Sequence, residues 1–181
     1  MEFMKKTLFC LILCLCELAV FSQSNGTKKF IDGYEDLAWG SSVEKVKNKY
    51  PNLSHEVDAG CQTGEECWMA ESASVTRVFR FYNKKLFWVK VIYDDMTQTQ
   101  FNALAEKLMS KYGKLYFDID KSDTVKFGYQ WLASSDLLVT LSVNNKINGF
   151  GANIGEWVFV EYYSRSIVKE MQVAESENIE L

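Results

Sequence analysis

A single proline and a single histidine in 181 residues set the first limits on this chain. So little proline argues against a linker-rich or disordered polymer. With His55 alone there is no imidazole cluster for a metal, and few groups suit acid–base work near neutral pH. No Gly-x-Ser-x-Gly turn is present to hold a nucleophile, so His55 beside Glu56 and Asp58 reads as a surface histidine on a weak strand. Basic clusters are missing too: 20 Lys and Arg face 24 Asp and Glu, a net charge of −4. A nucleic-acid groove needs clustered cations to displace counterions, so none is expected. Nor is there a long hydrophobic run; the apolar stretch from Thr7 to Cys16 is about half the ~20 residues of a membrane span.

That short run has another reading. Lys5 and Lys6 precede it, Glu17 breaks it, and Val20 and Ser22 are small residues before a cut, so residues 1–22 read as a secretory signal with a mature start near Gln23. Cys10, Cys14 and Cys16 invite a lipoprotein reading, but Phe9, Leu13 and Leu15 stand where that processing prefers a small residue, which makes membrane attachment by lipidation the lesser alternative. The remainder is one domain of roughly 150 residues, 23–172, enough for a single core, with an acidic tail at 173–181 that is expected to fray. The protein is placed outside the cytoplasm, periplasmic or secreted.

Two cysteines remain, Cys61 and Cys67, in Gly60-Cys-Gln-Thr-Gly-Glu-Glu-Cys-Trp68. Five residues lie between them, too many for a redox pair, and no further soft ligands accompany them. In an oxidising compartment they should close a small disulfide loop.

The organisation is written twice. Ser41 with Glu44, and Thr97 with Gln100, are capping boxes that open helices. Val43, Val46 and Tyr50 lie on one face of the first; Phe101, Leu104, Ala105, Leu108 and Tyr112 form the stripe of the second, which Gly113 stops. Alternating strands come after each: Phe79–Tyr82 and Phe87–Tyr93 around Asn83-Lys84-Lys85, then Phe127–Ala133 and Leu137–Asn144 around Ser134-Ser135-Asp136. In the last of these Leu137, Val139, Leu141 and Val143 are core, and Thr140, Ser142 and Asn144 face water. Glu156–Ser164 is apolar on both sides and should sit inside the sheet, whereas 54–59 and 67–70 form a weaker insertion. The expected fold is therefore α+β: two tandem helix-plus-β-hairpin units, about 30–95 and 96–164, forming one antiparallel sheet with helices on one face.

Candidate chemistry is thin. Asp118-Ile-Asp120-Lys-Ser122-Asp123 opens like a calcium loop but has Asp123 where glycine is needed and Tyr129 where the bidentate acid belongs. Gly149-Phe-Gly151-Ala-Asn-Ile-Gly155 resembles a phosphate cradle without its strand-then-helix context. No catalytic residue, metal or cofactor is assigned. Aromatics are the better clue: Tyr82, Trp88, Tyr116, Tyr162 and Tyr163 exceed what one sheet face buries.

The run Leu37-Ala-Trp39-Gly40-Ser41-Ser42-Val43-Glu44-Lys45-Val46 resembles the helix start of small exported bacterial proteins, including outer-membrane assembly lipoproteins of the SmpA/OmlA type and β-lactamase-inhibitor-like repeats. That resemblance implies a tandem αββ architecture and a binding role without catalytic residues. The chain thus reads as a monomeric, non-catalytic exported adaptor that docks a protein partner through its sheet face, with peripheral envelope association and contacts at Glu65, Glu66, Trp68, Tyr82, Trp88 and Phe150. Its alternatives are an inhibitor using the Cys61–Cys67 loop as a plug, and a carrier of a small apolar ligand.

Overall fold

The computed structural model describes residues 32–56, 61–114, 116–119, 125–147, 149 and 153–179. Residues 1–22, expected to be a secretory signal, with Cys10, Cys14 and Cys16, and Phe150 lie outside them. A two-stranded ribbon, β1 (Gly33–Tyr34) and β2 (Leu37–Ala38), precedes α1 (Val43–Lys49). Four strands come next: β3 (Ser54–His55), β4 (Glu65–Glu71), β5 (Val75–Tyr82) and β6 (Lys85–Asp94). Then come α2 (Gln98–Tyr112), β7 (Phe117–Asp118), β8 (Val125–Leu132), β9 (Leu137–Ile147), β10 (Asn153–Ser164) and α3 (Arg165–Ile179).

The strands do not form two helix-plus-hairpin units. They make one eight-stranded antiparallel sheet in the order β3-β4-β5-β6-β10-β9-β8-β7. The apolar-on-both-sides strand β10 is the reason: it lies in the middle, paired to β6 by one edge and β9 by the other, and so fuses the halves. The weak insertion supplies two further strands, β3 and β4, and both outer strands of the sheet are only two residues long. Helices are not confined to one face either, because α3 packs its Ile167 and Met171 against Val78, Phe87 and Trp88 on the side opposite α1 and α2. Helix also continues through residues 173–179, where composition alone suggests fraying.

The first face holds the main core. Phe79, Phe81, Leu86, Val89, Val139, Leu141, Val160 and Trp131 meet Val43 and Val46 of α1 and Phe101, Ala105 and Leu108 of α2. Full burial of each Val, Leu or Phe side chain contributes about 1.5–3 kcal/mol against exposure, so this layer dominates the stability. The caps act as the residue types require, with one shift. Thr97 and Gln100 form their reciprocal box, whereas α1 is capped by Ser42, whose Oγ accepts from Lys45 N–H. Ser41 instead turns its hydroxyl to the Ala38 carbonyl, and its own carbonyl accepts from Leu86 N–H.

Local chemistry sets two further features. Asn83 and Lys84 carry φ of 49° and 62°, the mirror-image turn that suits the twist of the β5–β6 hairpin. Just after it, Phe81 pairs with Leu86 and Arg80 with Trp88, so Phe87 is an extra residue. This bulge lets both Phe87 and Trp88 serve the second face while Leu86 and Val89 serve the first.

Candidate functional site

Side-chain size shapes the second face. On β10 the residues pointing that way are large: Trp157, Phe159, Glu161 and Tyr163. On neighbouring β9 they are small and polar: Thr140, Ser142 and Asn144. On β8 the next one is Gly128, and Ile119 folds back over it. A Cβ at Gly128 would come within 2.8 Å of Ile119 Cδ1 and 2.7 Å of the Leu141 carbonyl oxygen, so glycine is what permits that fold-back. Helix α3 meanwhile lies over β5 and β6. A valley is left along β9.

The valley has two sections that share Tyr163. A cavity of about 580 Å³ over Thr140, Ser142 and Asn144 runs toward one of about 820 Å³ between Leu138 of β9 and Arg165, Val168 and Lys169 of α3. From Leu138 to Asn144 the floor spans six residue steps, about 20 Å at the usual strand rise.

The polar floor is not wet. Thr140, Ser142 and Asn144 are 5%, 4% and 7% exposed, against the sequence expectation of a solvated face. They are joined sideways: Gln130 Nε2 donates to Thr140 Oγ1 at 3.4 Å, Thr140 Oγ1 lies 3.0 Å from Tyr163 OH, and Asn144 Nδ2 donates to Ser142 Oγ at 2.8 Å. Burial, and then the nearby Glu161 carboxylate, push the Tyr163 phenol up, so it stays protonated.

Charge is arranged around this floor. Lys90 Nζ lies 3.6 Å from Glu161 and the same distance from the centre of the Phe159 ring. Burial pulls the Lys90 ammonium below the usual lysine range, working against the attraction of Glu161. Trp157 and Phe159 stack at 6.0 Å, and Lys146, paired with Asp94, sits 5.1 Å over Trp157. At the α3 end, Asp136 Oδ1 accepts from Ser166 N–H at 2.6 Å and Oδ2 from Ser164 Oγ at 2.9 Å. Arg165 and Lys169, one helical turn apart, have no carboxylate partner among the described residues, although Arg165 donates to the Ser135 carbonyl.

The contacts named from the sequence lie elsewhere. Cys61 and Cys67 are joined, with Cα atoms 6.0 Å apart, and Cys67 is buried on β4. Inside that loop the Glu65 side chain is only 2% exposed; it accepts from Gln62 N–H and pairs with Arg80 at 3.5 Å. Glu66 is half-buried opposite Phe81. Trp68 is half-buried on the first face with His55 at its edge and Lys47 over its ring. Trp88 is buried under Arg80, and Tyr82 packs beside it against the second cluster. None of them lines the valley. Tyr163, from the aromatic surplus, does; Tyr162 instead packs against the core of the first face, in ring contact with Tyr34. The signal that marks the valley is the run of small polar residues on β9 opposite a run of large ones on β10.

Among groups that can hold a metal, the described residues bring together only Cys61, Glu65 and Cys67, whose sulfurs are engaged in the disulfide. No helix among the described residues is long and apolar enough to cross a membrane.

No family model matches the chain, and no curated protein matches it. Among solved structures it is similar to a cysteine-rich secretory protein from Staphylococcus aureus, with a TM-score of 0.36 and 7% identity over 71% of this chain. The match spans 45% of that protein, so this chain covers less than half of its length.

Proposed function

We propose that this protein is an exported, non-catalytic binding module whose contact surface is the valley along β9. The observation that carries this reading is the row Thr140, Ser142 and Asn144, polar and nearly buried on the face of a central strand. A sheet face that serves only as core is apolar, as the other face of the same strand is. Burying amide and hydroxyl groups is costly unless they are hydrogen-bonded, and these have capacity beyond their sideways bonds. Large neighbours that leave them recessed, in a cleft with apolar walls, give the arrangement of a ligand site.

Export is supported by the Cys61–Cys67 disulfide, since such bonds persist in oxidising compartments, together with the signal-like leader. Thiol trapping of protein taken directly from cells should find both cysteines oxidised.

Photo-crosslinking tests the site. A benzophenone side chain placed at Gln172, beside the valley, should give a discrete adduct in the native envelope or medium. The same group at Glu106, exposed on α2, should not. Equal labelling from both positions, or none from Gln172, removes the support for the valley as the contact surface.

A further inference from the structure

Resting on the valley as the binding site, we infer that its occupant is an extended peptide segment carrying Asp or Glu at the end that lies against α3. Three observations point the same way.

The first is shape. A floor of about 20 Å accommodates about six residues of extended chain at 3.3–3.4 Å each. Its hydroxyl and amide groups, Thr140, Ser142 and Asn144, recur every second residue, the same period as the groups of an extended backbone.

The second is charge. Glu161 is answered by Lys90, and Asp136, whose oxygens accept from Ser164 and Ser166, is in ion-pair contact with neither Arg165 nor Lys169. Arg165 and Lys169 remain at one end of the valley without acidic partners among the described residues, on a chain whose net charge is −4. Two cations at i and i+4 lie on one side of a helix, and Arg in particular offers a fork for a carboxylate.

The third observation separates peptide from other extended or amphiphilic ligands. Sugars stack on bare aromatic faces, yet Lys90 sits 3.6 Å over Phe159 and Lys146 5.1 Å over Trp157. A hydrocarbon chain would lie against Leu138 and Val168 but leave the polar floor unanswered.

The test uses the full mature chain and three fluorescein-labelled octapeptides: alternating Glu-Ser, alternating Gln-Ser and alternating Lys-Ser, read by fluorescence anisotropy. The Glu-Ser peptide should bind at least tenfold more tightly than the Gln-Ser peptide, and the Lys-Ser peptide should not bind. Raising salt should weaken the Glu-Ser complex. The double variant R165Q/K169Q should lower that affinity about tenfold, K169Q alone should lower it part of the way, and K107Q on α2 should leave it unchanged. Lys169 is exposed, so K169Q reports on binding even if the loss of the Arg165–Ser135 contact loosens the double variant.

Equal affinity for the Glu-Ser and Gln-Ser peptides, or indifference to K169Q, overturns the inference. Chitotetraose or laurate binding in the valley where no peptide does would overturn it in favour of a saccharide or an amphiphile. If Gln172 still crosslinks a partner while the peptides fail, the acidic-peptide inference falls and the binding-module reading stands. If both fail, the valley is not the site.

Discussion

Cutting the Cys61–Cys67 bond is the cleanest perturbation of this fold, because it changes the unfolded chain more than the folded one. The sequence separation is 6, so the bond closes a loop of seven residues counting both ends. Loop-closure entropy then gives about 2.4 kcal/mol at 25 °C. Cys61 is half-buried and Cys67 is 1% exposed, so Cys61→Ala is the better variant: it removes the link while leaving the buried partner in place. For a domain of this size, with a urea m-value of about 2 kcal/mol/M, the midpoint should fall by about 1 M. Tm should fall by roughly 5–9 °C. Reduced wild-type protein should unfold at the same urea concentration as Cys61→Ala. A shift below about 0.3 M, or one above about 2 M, would refute the reasoning. The first would mean that the loop is already constrained when unfolded, and the second that the bond holds packing together instead of restraining chain.

Three further outcomes rest on named contacts. Tyr34 is buried, and although Arg77 donates to its hydroxyl, its pKa is pushed up to about 12. A group raised in the folded state contributes stability below its unfolded pKa, so alkaline titration should erode stability between about pH 10 and 12 by up to about 3 kcal/mol, an erosion that Tyr34→Phe should reduce. Burial works to raise the Glu35 carboxyl, but hydrogen bonds from Lys49, Tyr50 and Tyr34 outweigh it and hold it below the usual range. Its contribution is present above the unfolded value and lost as pH falls through the folded one, so urea midpoints of wild type and Glu35→Gln should differ at pH 7 and converge in acid. Gly128→Ala must displace both Ile119 and the Leu141 carbonyl, and should cost about 1–3 kcal/mol by chemical denaturation; adding Ile119→Ala should not recover it all, since the 2.7 Å clash is with backbone.

Where periodicity is strong, the elements are legible in the sequence. Phe101, Ala105 and Leu108 repeat at helical spacing and form the buried side of α2, and Leu137 to Val143 alternate as β9 does in the core. Pairing is not legible. A strand apolar on both sides announces that it is central but not between which partners, and placing β10 between β6 and β9 turns two hairpin units into one sheet. Boundaries move by the chemistry of adjacent serines: Ser41, favoured in sequence by Glu44 three residues on, is drawn off by Ala38 and Leu86, and Ser42 takes the cap. The last helix escapes a reading by composition because Ile167 and Met171 are sparse apolar anchors in a polar stretch, yet they are the ones that seat α3. The site is hidden for a related reason. Small polar residues on a strand suggest solvent, and only their neighbours' bulk shows them to be recessed.

The two-residue strands at either border of the sheet have a bearing on how the protein keeps to itself in solution. Long open borders offer rows of unpaired backbone groups to which other chains add, and the remedy is to make them brief or charged. β3 and β7 present only Ser54, His55, Phe117 and Asp118, two residues apiece. A foreign strand arriving at β3 or β7 gains a couple of hydrogen bonds before that template runs out, so fibrillar self-association would have to begin on the stretches of β4 and β8 that these short strands do not pair, while β6, β10 and β9 stay out of reach.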